Sequence, residues 1–244
     1  MLNKLLIALA TISLPSAAMP PSPRLVIAIR DVTTSYCCLK EATVKLRGVV
    51  AALAPGDRFV LIDMGATFDP KNQVKIIAAL PSIPPELLAD NRIAGRSKRL
   101  EALNRKLEAA ESNKKAILRY LERPPTIDAT GTDVYGALRY VASLVNGSTG
   151  SEEKHVLWFS DMIHHLNGVQ KDLPPGDPIP MMGARVQVLF MPYGSNWDAR
   201  KLAWARFFSR SGSMDVQVYD AALSSVRVVL AKRPLVLPAG IASR

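Results

Sequence analysis

A chain of 244 residues, 48% hydrophobic and 21% charged, has a globular composition and the length of one large domain or one domain with an insertion. Two cysteines exclude a scaffold stapled by several disulfides and any multi-cysteine zinc or iron–sulfur site. The 31 Lys/Arg against 21 Asp/Glu leave a formal charge of +10, which favours anionic partners without choosing among nucleic acid, membrane and acidic protein.

Residues 1–18, MLNKLLIALATISLPSAA, place Lys4 before a ten-residue apolar run, Leu5 to Leu14, followed by Pro15. Ser16 and Ala18 are small residues at the −3 and −1 positions of a cleavage site after Ala18. This is the pattern of a secretory signal peptide, so the mature protein is expected to be periplasmic or secreted. Export weighs against a nucleic-acid partner. No later segment reaches the ~18–20 apolar residues of a spanning helix, so no integral membrane span is expected.

Residues 19–24 form a proline-rich lead-in. Leu25 to Ile29 is a continuous apolar run, read as a strand buried on both faces and ending at Arg30-Asp31. Cys37 and Cys38 follow. Adjacent Cα atoms lie ~3.8 Å apart across a trans peptide, below the usual disulfide range of roughly 4.4–6.8 Å. A mutual bridge would be strained, so they are read as small packing residues at the start of a helix. Leu39, Ala42, Leu46, Val49, Val50 and Leu53 have helical spacing, stopped by Pro55-Gly56. Phe59 to Ile62 is a second buried strand ending at Asp63, a residue that either adds negative potential near a site or caps the turn. Val74 to Leu80 is a weaker third strand.

Residues 84–123 read as helical, with Leu100, Leu103, Leu107, Ala110, Ile117 and Leu121 forming a narrow apolar seam. Segment 91–123 carries ten Lys/Arg against four Glu, a net of +6. It is either a solvated face or a docking arm for an acidic partner or membrane surface. After Pro124-Pro125 and a polar loop, Val134, Ala137, Leu138, Val141, Ala142 and Val145 predict an amphipathic helix. Val156 to Phe159 is a strand ending at Ser160-Asp161. A Pro/Gly-rich loop over 167–184 leads to strand Val186 to Phe190. A helix over 197–209 carries the core aromatics Trp197, Trp204, Phe207 and Phe208, and a last strand runs from Val216 to Tyr219.

Alternating strands and helices predict an α/β domain over 25–222: a three-layer arrangement with a mostly parallel central sheet, helices on both faces and a long helical insertion at about 84–123. Residues 223–244 form a C-terminal tail. Ligands of such sheets sit beyond the carboxyl ends of the strands. There the sequence places Asp31, Thr33 and Ser35 after the first strand, Thr132 before a helix, and Asp161 after the fourth strong strand. Two carboxylates and three hydroxyls form an all-oxygen set suited to a hard cation such as Mg²⁺, with Mn²⁺ and Ca²⁺ as alternatives.

The order of these motifs resembles the von Willebrand factor A-type domain and its metal-ion-dependent adhesion site. The family pattern is Asp-x-Ser/Thr-x-Ser after the first strand, a Thr before the next helix and an Asp after the following strand. Gly131-Thr132-Asp133 with Ala137-Leu138 is similar to the family's second loop, and LWFSDM at 157–162 to its third. The resemblance spans roughly residues 24–220. It implies that Thr33, Ser35 and Thr132 contact the metal directly, that Asp31 and Asp161 act largely through water, and that an open position accepts an acidic side chain from a protein partner. The chain departs from the pattern at Met162, where many members have Gly, and in the length of 84–123.

The expected role is therefore metal-dependent protein interaction rather than catalysis. Two alternatives are a metallohydrolase using Asp31, Asp161 and His164/His165, and a metal-free scaffold in which Asp31 and Asp161 only hold loops. A hard-oxygen site needs no imidazole, so His164 and His165 are expected outside the ligand set. The chain has no Gly-rich phosphate loop and no Gly-x-Ser-x-Gly elbow.

Overall fold

The computed structural model describes residues 22–89, 96–128, 130–148, 150–192, 194–220 and 230. The expected signal peptide and all of the C-terminal tail except Leu230 lie outside the described residues.

The chain forms an α/β fold around a six-stranded sheet. The strands are β1 (Arg24–Asp31), β2 (Arg58–Met64), β3 (Val74–Ala79), β4 (Glu153–Phe159), β7 (Ala184–Met191) and β8 (Asp215–Asp220). Their order is β3-β2-β1-β4-β7-β8, and only β3 runs antiparallel to its neighbour. The helices are α1 (Leu39–Ala51), α2 (Pro70–Gln73), α3 (Pro85–Ala89), α4 (Arg96–Glu122), α5 (Val134–Asn146) and α6 (Trp197–Arg210). None is long and apolar enough to cross a membrane among the described residues.

The period of two along β1 divides the core. Leu25, Ile27 and Ile29 join one buried cluster with Val134, Leu138 and Val141 of α5 and Trp204, Phe207 and Phe208 of α6. Val26 and Ala28 join another with Leu46, Val49 and Val50 of α1 and Ala110, Ile117 and Leu121 of α4. Every residue of β1 is buried, which explains its continuous apolar run. Strand β3 lies at the sheet edge and its residues alternate between half-buried and exposed, which weakens its signal in the sequence.

Two local features depart from the sequence reading. The expected loop after residue 167 begins instead inside a hairpin of β5 (His164–Leu166) and β6 (Val169–Lys171). Its turn residues Asn167 and Gly168 have φ of 51° and 75°, the left-handed pair that an Asn-Gly hairpin turn requires. Asp63 is engaged by an arginine rather than by a turn. It accepts Nε and Nη2 of Arg30 at 2.9 Å each, across the β1–β2 pairing. A second buried pair, Arg24–Asp57, closes the opposite end of β1, where Asp57 also accepts the Arg24 and Ala54 amides.

From β1 the sheet grows through β2 to β3 on one side and through β4 and β7 to β8 on the other. The change of direction lies between β1 and β4, the place in such sheets where ligands are expected at the carboxyl ends of the strands.

Candidate metal centre

Asp31 is the last residue of β1 and is fully buried. Its Oδ1 accepts the Thr33 amide at 3.1 Å and the Thr33 hydroxyl at 2.7 Å; its Oδ2 accepts the Ser160 hydroxyl at 2.9 Å. The Thr33 and Ser35 hydroxyl oxygens are 3.1 Å apart. Thr33 is buried, whereas Ser35 is exposed. Ser160, at the end of β4, thus links the second strand end to the first. Ser160 stands outside the predicted oxygen set, although a hydroxyl beside Asp161 at a strand end is a signal visible in the sequence.

Asp161 is buried and accepts the Ile163 amide at 2.8 Å. Burial, then the charge of Asp31, pushes its carboxyl up to about 7, against the Ile163 hydrogen bond and the Arg200 charge. Burial likewise raises Asp31, opposed by its bonds from Thr33 and Ser160. Neither carboxylate forms an ion pair among the described residues. Arg200 donates Nη2 to the Pro192 carbonyl at 2.8 Å and acts on Asp161 only through its field. Tyr36, buried beside this pair, has a hydroxyl with no hydrogen-bond partner among the described residues. Its proton is held more tightly by burial, then by Cys38, Asp31 and Asp161. Among the described residues no three His, Cys, Asp or Glu side chains cluster to hold a metal ion; the five-residue set contains only two such residues, Asp31 and Asp161.

Thr132 enters through its backbone. It exchanges hydrogen bonds with His165, amide to carbonyl, at 2.7 and 2.9 Å, and so fixes the loop before α5 to the loop after β4. Asp128, in the same α4–α5 connection, donates its amide to Val32 at 2.9 Å and accepts the Thr34 amide at 3.2 Å, which anchors this connection beside the β1 loop. Gly131 makes the approach feasible. Its φ is 150°, and a Cβ there would run into the His165 carbonyl oxygen. Asp133 caps α5, accepting the Gly136 amide at 2.8 Å on one oxygen and the Phe68 amide at 2.9 Å on the other.

The two expected bystanders are differently placed. The buried His164 ring stacks on Tyr135 with centroids 4.2 Å apart, and its Nδ1 lies 3.6 Å from Asp133. Burial lowers its pKa, against the attraction of Asp133. His165 is exposed and meets Thr132 through its main chain. Met162 takes φ of 60° with a fully buried side chain. A left-handed backbone favours Gly, and the apolar burial of the Met side chain in the α5–α6 cluster offsets that cost.

No family model and no curated protein matches the sequence. Among solved structures, the chain is similar to the pilus adhesin SpaC from Lactobacillus rhamnosus GG, with a TM-score of 0.46 and 9% identity over 83% of this chain and 28% of the adhesin. It is also similar to proximal thread matrix protein 1 from the mussel byssus, with a TM-score of 0.44 and 10% identity over 86% of this chain and 48% of that one. The chain therefore spans from about a quarter to half of the length of these proteins. Such distant likenesses establish neither family nor function.

Proposed function

We propose that this chain is an exported interaction module with a three-layer von Willebrand A-type arrangement, and that it binds Mg²⁺, or Mn²⁺ or Ca²⁺ in its place, at the carboxyl edge of its sheet. One observation carries the reading: Asp31 and Asp161 are two buried carboxylates, the charge of Asp31 raising the cost of ionising Asp161, with hydroxyls on Asp31 and no ion-paired cation among the described residues. Unpaired buried carboxylates are unfavourable unless a cation or a proton compensates them.

The donors fit a hard cation: all are oxygens, and the Thr33 and Ser35 hydroxyls are adjacent. In this reading Thr33, Ser35 and Thr132 hold the ion directly, while Asp31 and Asp161 act largely through water. Ser160 keeps Asp31 oriented. A bound ion supplies an electrophilic position for a carboxylate of a protein partner. The basic α4 segment adds long-range attraction for acidic partners.

Calorimetry of the mature chain tests the ion. Binding of Mg²⁺ by the wild type and its loss in Asp31→Ala, with the circular dichroism spectrum kept, support the reading; heat unchanged by the substitution overturns it. Capture of a partner with Mg²⁺ or with chelator tests the interaction. Capture that survives both chelation and Asp31→Ala puts the interface elsewhere.

A further inference from the structure

The turn between Ser35 and α1 holds two thiols whose sulfurs are 2.9 Å apart. Adjacent residues within a helix do not face each other. Cys37 and Cys38 meet because both precede the first helical residue, Leu39, with Cys38 at φ −114° and ψ 27°. Cys37 is exposed and Cys38 is buried against the α1–α4 cluster. Cys38 makes no side-chain capping bond to α1, so its thiol is not committed to the helix terminus. One sulfur is therefore open to solvent, and the second lies directly behind it.

We propose that Cys37 and Cys38 are a modification site, a vicinal dithiol that closes reversibly to a disulfide by exchange with a small disulfide such as oxidised glutathione. Cys37 loses its proton to solvent and attacks one glutathione sulfur. The glutathione S–S bond breaks, a mixed disulfide forms on Cys37, and one glutathione leaves with the electron pair. Cys38 then gives up its proton and attacks the Cys37 sulfur, forming the Cys37–Cys38 bond and releasing the second glutathione. The protein loses two hydrogens and two electrons; the oxidant gains both and becomes two thiols. The second step needs no further encounter because its nucleophile is already in place, and since burial pushes the Cys38 thiol up to about 12, its proton leaves as the bond forms. The product is reversible because adjacent Cα atoms sit closer than an unstrained disulfide prefers, and strained disulfides are readily reduced.

The reading is independent of any metal. Intact-mass spectrometry of the full mature chain with oxidised glutathione tests it. The expected wild-type product is monomeric, lighter by two hydrogens, without either alkylatable thiol, and restored by dithiothreitol. Cys38→Ser should instead stop as a single glutathione adduct on Cys37. A wild type that accumulates as a stable glutathione adduct, as a disulfide-linked dimer or as unreacted dithiol overturns the proposal, and these wild-type readings decide it even where the variant does not fold.

Discussion

The molecule buries carboxylates in two ways. Asp57 and Asp63 each meet an arginine of β1, Arg24 and Arg30, in ion pairs less than 4% exposed on either side. Asp31 and Asp161, at the carboxyl ends of β1 and β4, are also buried and meet hydroxyls and amides instead. Arg30 and Asp31 are adjacent, yet the strand alternation sends them to opposite faces. The guanidinium of Arg30 is taken up by Asp63 and Thr43, and Asp31 forms no ion pair among the described residues. The difference separates carboxylates compensated within the fold from carboxylates that, in the proposed function, a cation from outside compensates.

Breaking a structural pair should have the largest effect. Asp63→Ala leaves Arg30 fully buried with, among the described residues, only the Thr43 hydroxyl at 3.3 Å, and urea denaturation should show a loss of about 3–5 kcal/mol. A loss under ~1 kcal/mol, the scale of an exposed pair, would mean that the Arg30–Asp63 pair is not structural. Next in size is Gly131→Ala, which drives a Cβ into the His165 carbonyl. It should cost roughly 1–3 kcal/mol by overpacking and weaken Mg²⁺ binding by displacing Thr132.

The unpaired carboxylates should respond in the opposite direction. Asp161→Asn keeps an acceptor for the Ile163 amide but removes the charge that repels Asp31. In chelator at pH 7.5 this variant should melt above the wild type, and it should lose the stabilisation that Mg²⁺ gives the wild type. A variant that melts lower in chelator would mean that Asp161 is structural after all.

The same comparison has a pH form. Asp161 is raised to about 7 in the fold, against ~3.9 in an unfolded chain. Between these values the native state binds more protons than the unfolded one, so stability falls as pH rises. Burial lowers His155 and His164, and these groups work in the other direction. The wild-type minus Asp161→Asn difference cancels them: it should be flat below about pH 4, decline between about 4 and 7 in chelator, and flatten again with saturating Mg²⁺. Thermal melts across that range measure it.

The smallest effect belongs to the solvent-exposed charges. Glu101 and Arg105 of α4, 63% and 71% exposed, form an i, i+4 pair. Glu101→Gln should cost no more than ~0.5 kcal/mol and nothing measurable in high salt.

Much of this architecture is legible in the chain itself. The apolar run Leu25–Ile29 marks a strand buried on both faces because both faces of β1 meet helices. The spacing of Val134, Ala137, Leu138 and Val141 marks the buried face of α5, and all four are buried. Asp31, Thr33 and Asp161 are visible as polar residues where strands end. The Asn167-Gly168 turn was equally visible, as a left-handed pair between short strands, but proline and glycine around it read as loop.

What the sequence by itself determined is local: which segments are strands or helices, which face each buries, and which oxygens stand at strand ends. Those properties depend on periodicity and on the few residues around each position. Only the tertiary structure decided the partners. It gave Asp63 to Arg30, Ser160 to Asp31 and Thr132 to His165, and it ran β3 against β2. A carboxylate reads the same in a sequence whether an arginine or a hydroxyl will meet it. Which of them does depends on strand order and register, set by packing between residues far apart in the chain, and that choice separates a structural charge from a candidate binding site.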